Sequence, residues 1–365
     1  MTSDQILTAA ETALPILRAA VSGLPSYVPG RRSAGVDIAA LASNESHHEP
    51  LPAAAAAVAE AAGRMNRYPD MAAVELRERI AGHLSVTAGE IAVGPGSVGV
   101  LQQIITGVCD AGDEVIFAWR SFEAYPILVE LAGARPVRIP LDDAEGHDLD
   151  AMAAAVTGRT KVILLCTPNN PTGVPISHER LEVFLRSVRS DVLVVIDEAY
   201  VEYAVAGSGP DSLALYREYP NVCILRTFSK AYGLAGLRVG YAVAAPEIAE
   251  GLRRTAIPFS VTALAQKAAI ASLDAADEMR ARVAVVKEER ARMAIRLEAQ
   301  GWKLRPSQGN FLWIRADEDL LARLVAAFDR ADILVRAYQG DGIRITVADP
   351  MSNDRVLQVL EAQTA

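Results

Sequence analysis

Three side chains at fixed intervals carry the first chemical signal: an acid at Asp197, a lysine at Lys230 and an arginine at Arg238. The first directly follows a short apolar run and the second comes five residues after the end of another. Asp197-Glu198-Ala199-Tyr200 closes the run 192–196, and Thr227-Phe228-Ser229-Lys230 follows 222–225; Arg238 stands a little further on, flanked by Gly236 and Gly240. An acid that ends an all-apolar strand sits at a buried mouth and needs a cationic partner. A lysine in such a place gives up its proton readily and becomes a nucleophile toward carbonyl carbon. A glycine-flanked guanidinium can reach a phosphate. Upstream, Thr167-Pro-Asn169-Asn170-Pro-Thr-Gly173 follows the run 161–166; it is either a set of amide donors or a polar turn.

The loop Gly94-Pro-Gly96-Ser97-Val98-Gly99 matches G-x-G-x-x-G, after an apolar run and before a helical stretch. A dinucleotide site would also need an acid at the end of the next strand, about 20 residues on. That strand ends in Trp119-Arg120, so the fingerprint fails in its second half. What remains is a glycine turn feeding a helix N-terminus, which binds anions or merely connects two elements. One cofactor needs all these groups together: pyridoxal phosphate takes a lysine for its aldehyde, a carboxylate for its ring nitrogen and an anion cradle for its phosphate. Lys230, Asp197 and the Gly96–Ser97–Val98 turn with Arg238 fill those places, and Asn170 and Tyr200 suit the ring oxygen. Trp119, Phe122 and Tyr125 are the aromatic candidates to cover the ring.

The elements that must position these groups are short β-branched runs at 90–93, 114–118, 135–139, 161–166, 192–196, 222–225 and 240–243. Runs of this kind, alternating with amphipathic helices, read as a mostly parallel sheet covered on both faces. Open sheets of this type bind ligands at the C-terminal ends of their strands. Residues 3–21 carry apolar side chains at helical spacing and lead into a Gly/Pro/Ser segment, which reads as an N-terminal arm. The stretch 268–300 reads as one long helix; strand signals follow at 311–314, 333–335 and 343–347, with a helix at 317–330. The expected fold class is therefore α/β: a large domain with a mostly parallel sheet flanked by helices, plus a smaller α+β domain. The expected division is an arm at 1–35 joining the small domain, a large domain at 36–250 and a small C-terminal domain at 251–365.

Composition bounds the function. The 365 residues are 51% hydrophobic and 22% charged, with a net charge of −9. That balance excludes a disordered chain and argues against nucleic acid or a membrane surface as partner. Cys109, Cys166 and Cys223 show no metal-ligand or disulfide-framework spacing, and His47-His48 reads as a polar turn, so no metal is expected. Neither a signal peptide nor an apolar run of membrane-spanning length is evident, which points to a cytoplasmic protein.

Several longer motifs are more specific: Asn66-Arg-Tyr68-Pro-Asp70, Trp119-Arg-Ser-Phe122-Glu-Ala-Tyr125, Asn169-Asn170-Pro-Thr-Gly173, Asp197-Glu-Ala-Tyr200, Leu225-Arg-Thr-Phe-Ser229-Lys230-Ala-Tyr-Gly-Leu-Ala-Gly-Leu-Arg238 and Arg344-Ile-Thr-Val. With these the chain resembles fold-type I aminotransferases, in particular the histidinol-phosphate aminotransferase family and its aromatic amino acid (phenylalanine) branch, from about residue 24 to 350. The resemblance implies pyridoxal 5'-phosphate on Lys230, Asp197 at the ring nitrogen, and Asn170 and Tyr200 at the ring oxygen. It implies Gly96, Ser97, Val98, Ser229 and Arg238 at the phosphate, Phe122 on the ring, and a homodimer in which Tyr68 reaches the neighbouring subunit's cofactor. Arg344, with Arg336 close by, would hold the substrate carboxylate; a planar guanidinium suits that bidentate task. Tyr27, Tyr125 and Phe259 would surround the substrate side chain. Phenylalanine at 259 cannot donate to a phosphate, which favours an aromatic donor, although it also suits plain helix packing. The implied activity is ping-pong transamination between phenylalanine or tyrosine and 2-oxoglutarate, with freed Lys230 as the base. The alternatives are histidinol phosphate as donor, or a related lyase or decarboxylase. Asn44 and Glu45 keep the family's pattern, whereas Ser46-His47-His48 departs from it.

Overall fold

The computed structural model describes residues 17–24 and 38–363. Tyr27 and most of the predicted N-terminal helix lie outside the described residues; the short helix Ala19–Ser22 is what is described of that stretch.

Among the described residues twelve strands follow in chain order: β1 (Ala39–Ala40), β2 (Ile91–Gly94), β3 (Glu114–Trp119), β4 (Arg135–Pro140), β5 (Thr160–Cys166), β6 (Leu193–Asp197), β7 (Val222–Thr227), β8 (Gly240–Val243), β9 (Phe311–Arg315), β10 (Ile333–Leu334), β11 (Arg336–Tyr338) and β12 (Gly342–Thr346). Seven of them form one sheet in the order β2-β8-β7-β6-β5-β3-β4. Only β8 runs antiparallel to its neighbours there. The predicted runs match these strands to within a residue or two. The alternation along them explains why they read as continuously apolar. Ile163, Leu165, Val194, Ile196, Val222 and Ile224 pack on one face; Val162, Leu164, Cys166, Leu193, Val195, Cys223 and Leu225 pack on the other. Each such side chain contributes about 1.5–3 kcal/mol by leaving water. Cys109, Cys166 and Cys223 are all free and buried in that second layer.

Side chains cap several of the helices. Ser177 accepts from the Arg180 N–H before the helix His178–Ser187, and Asp317 accepts from the Leu320 N–H before Glu318–Arg330. The predicted single helix over 268–300 is instead two, Ala263–Asp274 and Ala276–Ala299, broken at Ala275. The reason is where each must pack. The first lies on the helices Pro52–Ala62 and Val74–Leu84, whereas the second packs against Val201–Tyr203 and Pro350–Glu361. Asp277 and Glu278 then open a fresh N-terminus, where acids complement the helix dipole.

The C-terminal strands β11-β12-β9 form a separate antiparallel sheet. The predicted strand 333–335 splits, because β10 pairs with β1 while β11 pairs with β12. Thus residues near the start of the described chain are stitched to its end: the Leu41 N–H donates to the Leu334 carbonyl at 2.7 Å, and the Thr346 N–H to the Leu41 carbonyl at 2.9 Å. The predicted boundary at 250 falls inside the helix Pro246–Arg254, which packs on β2 and on the helix Gly96–Val108. Among the described residues no helix is long and apolar enough to cross a membrane.

Candidate active site

Where β5, β6 and β7 end, their loops and the β11-β12-β9 sheet enclose a cavity of about 550 Å³. Lys230, Asp197, Tyr200, Asn170, Ser97, Val98, Phe122, Ser229, Arg238, Arg336 and Arg344 all border it. The parallel strands finish at one edge of the large sheet and present the first of these groups there, while Arg336 and Arg344 come from β11 and β12 of the smaller sheet.

Lys230 Nζ donates to the Ser43 carbonyl at 2.9 Å. Burial, with Arg344 and Arg238 nearby, lowers its ammonium from the usual range to about 7. Near neutrality half of this amine is therefore unprotonated and nucleophilic. Asp197 is pushed up to about 6 by burial, opposed by the hydrogen bond from Tyr125. Its carboxylate accepts from the Tyr125 hydroxyl at 2.7 Å and the Ala199 N–H at 3.3 Å, both neutral donors. A cation at the open side of this carboxylate would relieve its cost. Tyr200 is buried at the floor, accepting from Asn44 Nδ2 at 3.0 Å, and burial raises its hydroxyl well above the usual range.

The glycine loop brings a helix N-terminus and a guanidinium side by side. Gly96 has φ +78° and opens the helix Gly96–Val108; a Cβ there would run into the Arg238 guanidinium. Only glycine leaves that guanidinium its place above the helix N-terminus. Arg238 is anchored by Nη1 donating to Ser229 Oγ at 3.3 Å and to the Ala235 carbonyl at 3.0 Å. Opposite the cradle, Arg344 donates to Asn170 Oδ1 and, at 2.6 Å, to the Ala42 carbonyl. Its Nε is buried without a partner. A buried unpaired donor on a guanidinium is costly, and an incoming carboxylate would satisfy it.

Three residues expected around the substrate lie elsewhere or beyond description. Tyr125 is fully buried behind Asp197, its ring edge-on to Phe122 at 5.6 Å, so it supports the acid rather than bordering the cavity. Phe259 stacks on Tyr68 at 4.5 Å on the surface, where Tyr68 is 82% exposed; neither borders the cavity of its own chain. Tyr27 lies outside the described residues. The sequence argument missed Glu123, which grips Arg336, and Tyr338, which borders the cavity. Their signals were present but unread: Glu123 follows Phe122 directly, and Tyr338 shares a strand face with Arg336. His47 and His48 lie ring to ring at 4.0 Å, while Asn44 and Glu45 keep their places at the floor and wall.

A lysine of lowered proton affinity and a buried acid at the C-terminal edge of the large sheet meet, in one cavity, a guanidinium beside a helix N-terminus and a second arginine on β12, the groups a pyridoxal-phosphate transferase requires. The family model for class I and II aminotransferases matches residues 36–362. The chain therefore belongs to the class I and II aminotransferase family. It is 51% identical over 349 residues to an aromatic amino acid aminotransferase of Streptomyces coelicolor, covering 95% of this chain and 97% of the relative. It is 50% identical over 341 residues to one from Mycolicibacterium smegmatis, covering 93% of each. Its fold matches the histidinol-phosphate aminotransferase of Sinorhizobium meliloti, solved with pyridoxal-5'-phosphate, with TM-score 0.86, 29% identity, and 97% and 99% of the two chains covered.

The cofactor of this family is pyridoxal 5'-phosphate, and the residues present fit it: the lowered amine of Lys230, the raised carboxyl of Asp197 and the space kept by Gly96 beside Arg238. Capture of the cofactor by the apoprotein should accelerate as pH rises through about 7 and then level off, because the amine is neutral above that value. Stopped-flow absorbance across pH 5.5–9.5 checks this; a rate still climbing toward the ordinary lysine range would contradict the assignment.

Proposed function

We propose that the protein transaminates phenylalanine and tyrosine, with 2-oxoglutarate as the amino acceptor, in a ping-pong cycle in the cytoplasm. The convergence of Lys230, Asp197 and the unsatisfied Arg344 on one cavity carries this proposal. The names of its half-identical relatives support the aromatic donor, as do the apolar walls at Phe122, Ile127, Leu128 and Tyr338. Three free, buried thiols suit a reducing compartment.

When bound, pyridoxal 5'-phosphate supplies an aldehyde carbon for the amino group and a ring that takes up electron density from the substrate Cα. Asp197 would hold the proton on the ring nitrogen, and Asn170 and Tyr200 would hold the ring oxygen. Phe122 covers the ring. Ser97, Val98, Ser229 and Arg238 hold the phosphate, with Gly96 keeping the approach open. Lys230 Nζ tethers the cofactor at rest. Its free amine would be the base that moves a proton at the substrate Cα, a task for which an amine near neutrality is suited. Arg344 takes the α-carboxylate common to both substrates and fixes which Cα bond faces Lys230.

The same reading includes a homodimer. Met65, Tyr68 and Met71 on one segment and Ile257 and Phe259 on another are exposed apolar side chains, joined through the Tyr68–Phe259 stack. Such a patch marks an interface, and Tyr68 would cross it to the partner's phosphate site. Turnover of phenylalanine, tyrosine and histidinol phosphate with 2-oxoglutarate, run beside sedimentation, tests both parts. The two aromatic donors should dominate and the active species should be a dimer. A large preference for histidinol phosphate, or a fully active monomer, would overturn the respective part.

A further inference from the structure

A ping-pong cycle runs two unlike side chains through one cavity: an uncharged ring on the donor and, on the acceptor proposed above, a second carboxylate. The structure holds a device suited to that alternation. Arg336 and Arg344 are directly opposite each other in the β11–β12 pairing. Directly opposed residues of an antiparallel pair share a face, their Cβ atoms about 4.5–5.5 Å apart. Tyr338 lies against both, 5.7 Å from the Arg336 guanidinium and 5.8 Å from that of Arg344. Two neighbouring cations aimed into one cavity match a substrate with two carboxylates. They also repel each other, and one of them is a liability whenever an apolar ring occupies the space.

Glu123 answers that problem. Its Oε2 accepts from Arg336 Nε at 3.1 Å and from Nη2 at 2.7 Å. The arginine side chain is 13% exposed and the glutamate 27%, and both border the cavity. Glu123 also stands at the N-cap of the helix Ala124–Ala132, where its side chain makes no cap hydrogen bond and is turned to Arg336 instead. Neither residue is needed to hold the core: the pair lies at the cavity wall, between two elements.

We infer that Glu123 is a specificity-determining residue, a built-in carboxylate that occupies Arg336 while an aromatic ring is bound and yields it to the distal carboxylate of a dicarboxylic substrate. With the ring in place, the Glu123–Arg336 pair is neutral overall and the wall it forms tolerates an apolar neighbour. With a dicarboxylate in place, the two carboxylates compete for one guanidinium fork, so Glu123 holds dicarboxylate affinity down. The inference rests on the proposed aromatic donor and dicarboxylic acceptor, and it adds the residue that lets one cavity serve both.

The test is Glu123→Gln in the holoenzyme, with Glu123→Ala as a second variant and Glu123→Asp as the conservative control. Removing the charge should lower the ratio of kcat/KM for phenylalanine to kcat/KM for glutamate by roughly tenfold, the scale of one charged hydrogen-bonded partner. The phenylalanine KM should rise, and inhibition by succinate, which carries two carboxylates and no reactive group, should tighten. Glu123→Asp should recover part of the ratio. A merely structural role would change both donors by the same factor and leave succinate inhibition alone; that result, or no change in any variant, overturns the inference. If one variant does not fold, the other reads the same ratio. Wild type separates this outcome from the wider proposal: a native enzyme that does not transaminate phenylalanine defeats the aromatic assignment, whereas an active native enzyme with unshifted variants defeats only the role of Glu123.

Discussion

Replacing Lys230 with alanine is expected to lower turnover by about 10⁴-fold or more, since one amine serves both as tether and as base. The lysine-linked absorbance of the cofactor should vanish with it. The fold should survive. Lys230 Nζ donates to one backbone carbonyl, that of Ser43, and the net worth of such a bond is about 1 kcal/mol. The sign of the linked stability effect also favours survival. Burial lowers the amine's proton affinity in the folded chain, so at pH 7 and below the native state carries a charge it would rather shed. That penalty fades as pH rises above about 7 toward the unfolded lysine's range. Alanine has no proton to hold, so the variant apoprotein should melt at or above the wild-type temperature at pH 7. Turnover, absorbance and thermal melts on one purified preparation separate the cases. Normal turnover by a folded Lys230→Ala protein would end the assignment.

The second large effect is expected from Asp197→Asn, a loss of about 10²–10³-fold in kcat, comparable to removing one preorganised electrostatic partner. Asparagine matches the shape but not the charge, and it cannot keep a proton on a facing ring nitrogen. The environment of Asp197 supports the proposed role of that charge. Its carboxyl is held up at about 6 by burial, and the donors it has are the neutral Tyr125 hydroxyl and Ala199 N–H. A cationic ring nitrogen supplies the missing partner and favours the ionised form. Tyr125→Phe gives a graded comparison. Losing that hydrogen bond should raise the Asp197 carboxyl further and cost roughly tenfold in kcat/KM, the scale of a hydrogen bond to a charged group. The acid limb of the pH profile should move upward in that variant. Asp197→Asn activity within tenfold of wild type would refute the role.

Much of the sheet was legible because its strands follow local rules. A run such as 162–166 is apolar at every position, and both faces of β5 are covered, so burial and pattern agree. The break at Ala275 was not legible. Ala, Glu and Arg favour helix on either side of it, and the interruption follows from two packing surfaces that only the folded chain presents. The strand at 333–335 misled for a similar reason: three β-formers in a row do not say that two of them pair with residues 39–40 near the other end.

In the candidate site the division is just as clear. Lys230, Asp197, Asn170, Tyr200 and Arg238 declared themselves because each ends or follows an apolar strand, where a polar group has to have a reason. Tyr125 was read from its aromatic type as a substrate contact. It is a donor to Asp197, 72 residues away in the chain. Tyr68 was read as reaching the neighbouring subunit's cofactor and Phe259 as bordering the substrate; that the two rings stack on each other at the surface was not legible, because 191 residues separate them in the chain.

By itself, then, the amino-acid sequence determined the kinds of chemistry available and the strand ends that present them, because residue type and the alternation of buried positions act over a few residues. The tertiary structure decided the partners. Ser43 meets Lys230 across 187 residues, Glu123 meets Arg336 across 213, and Ala42 meets Arg344 across 302. No local pattern encodes such contacts. They arise when the chain closes its core, and they set the lowered amine, the raised acid and the paired arginine at the cavity wall.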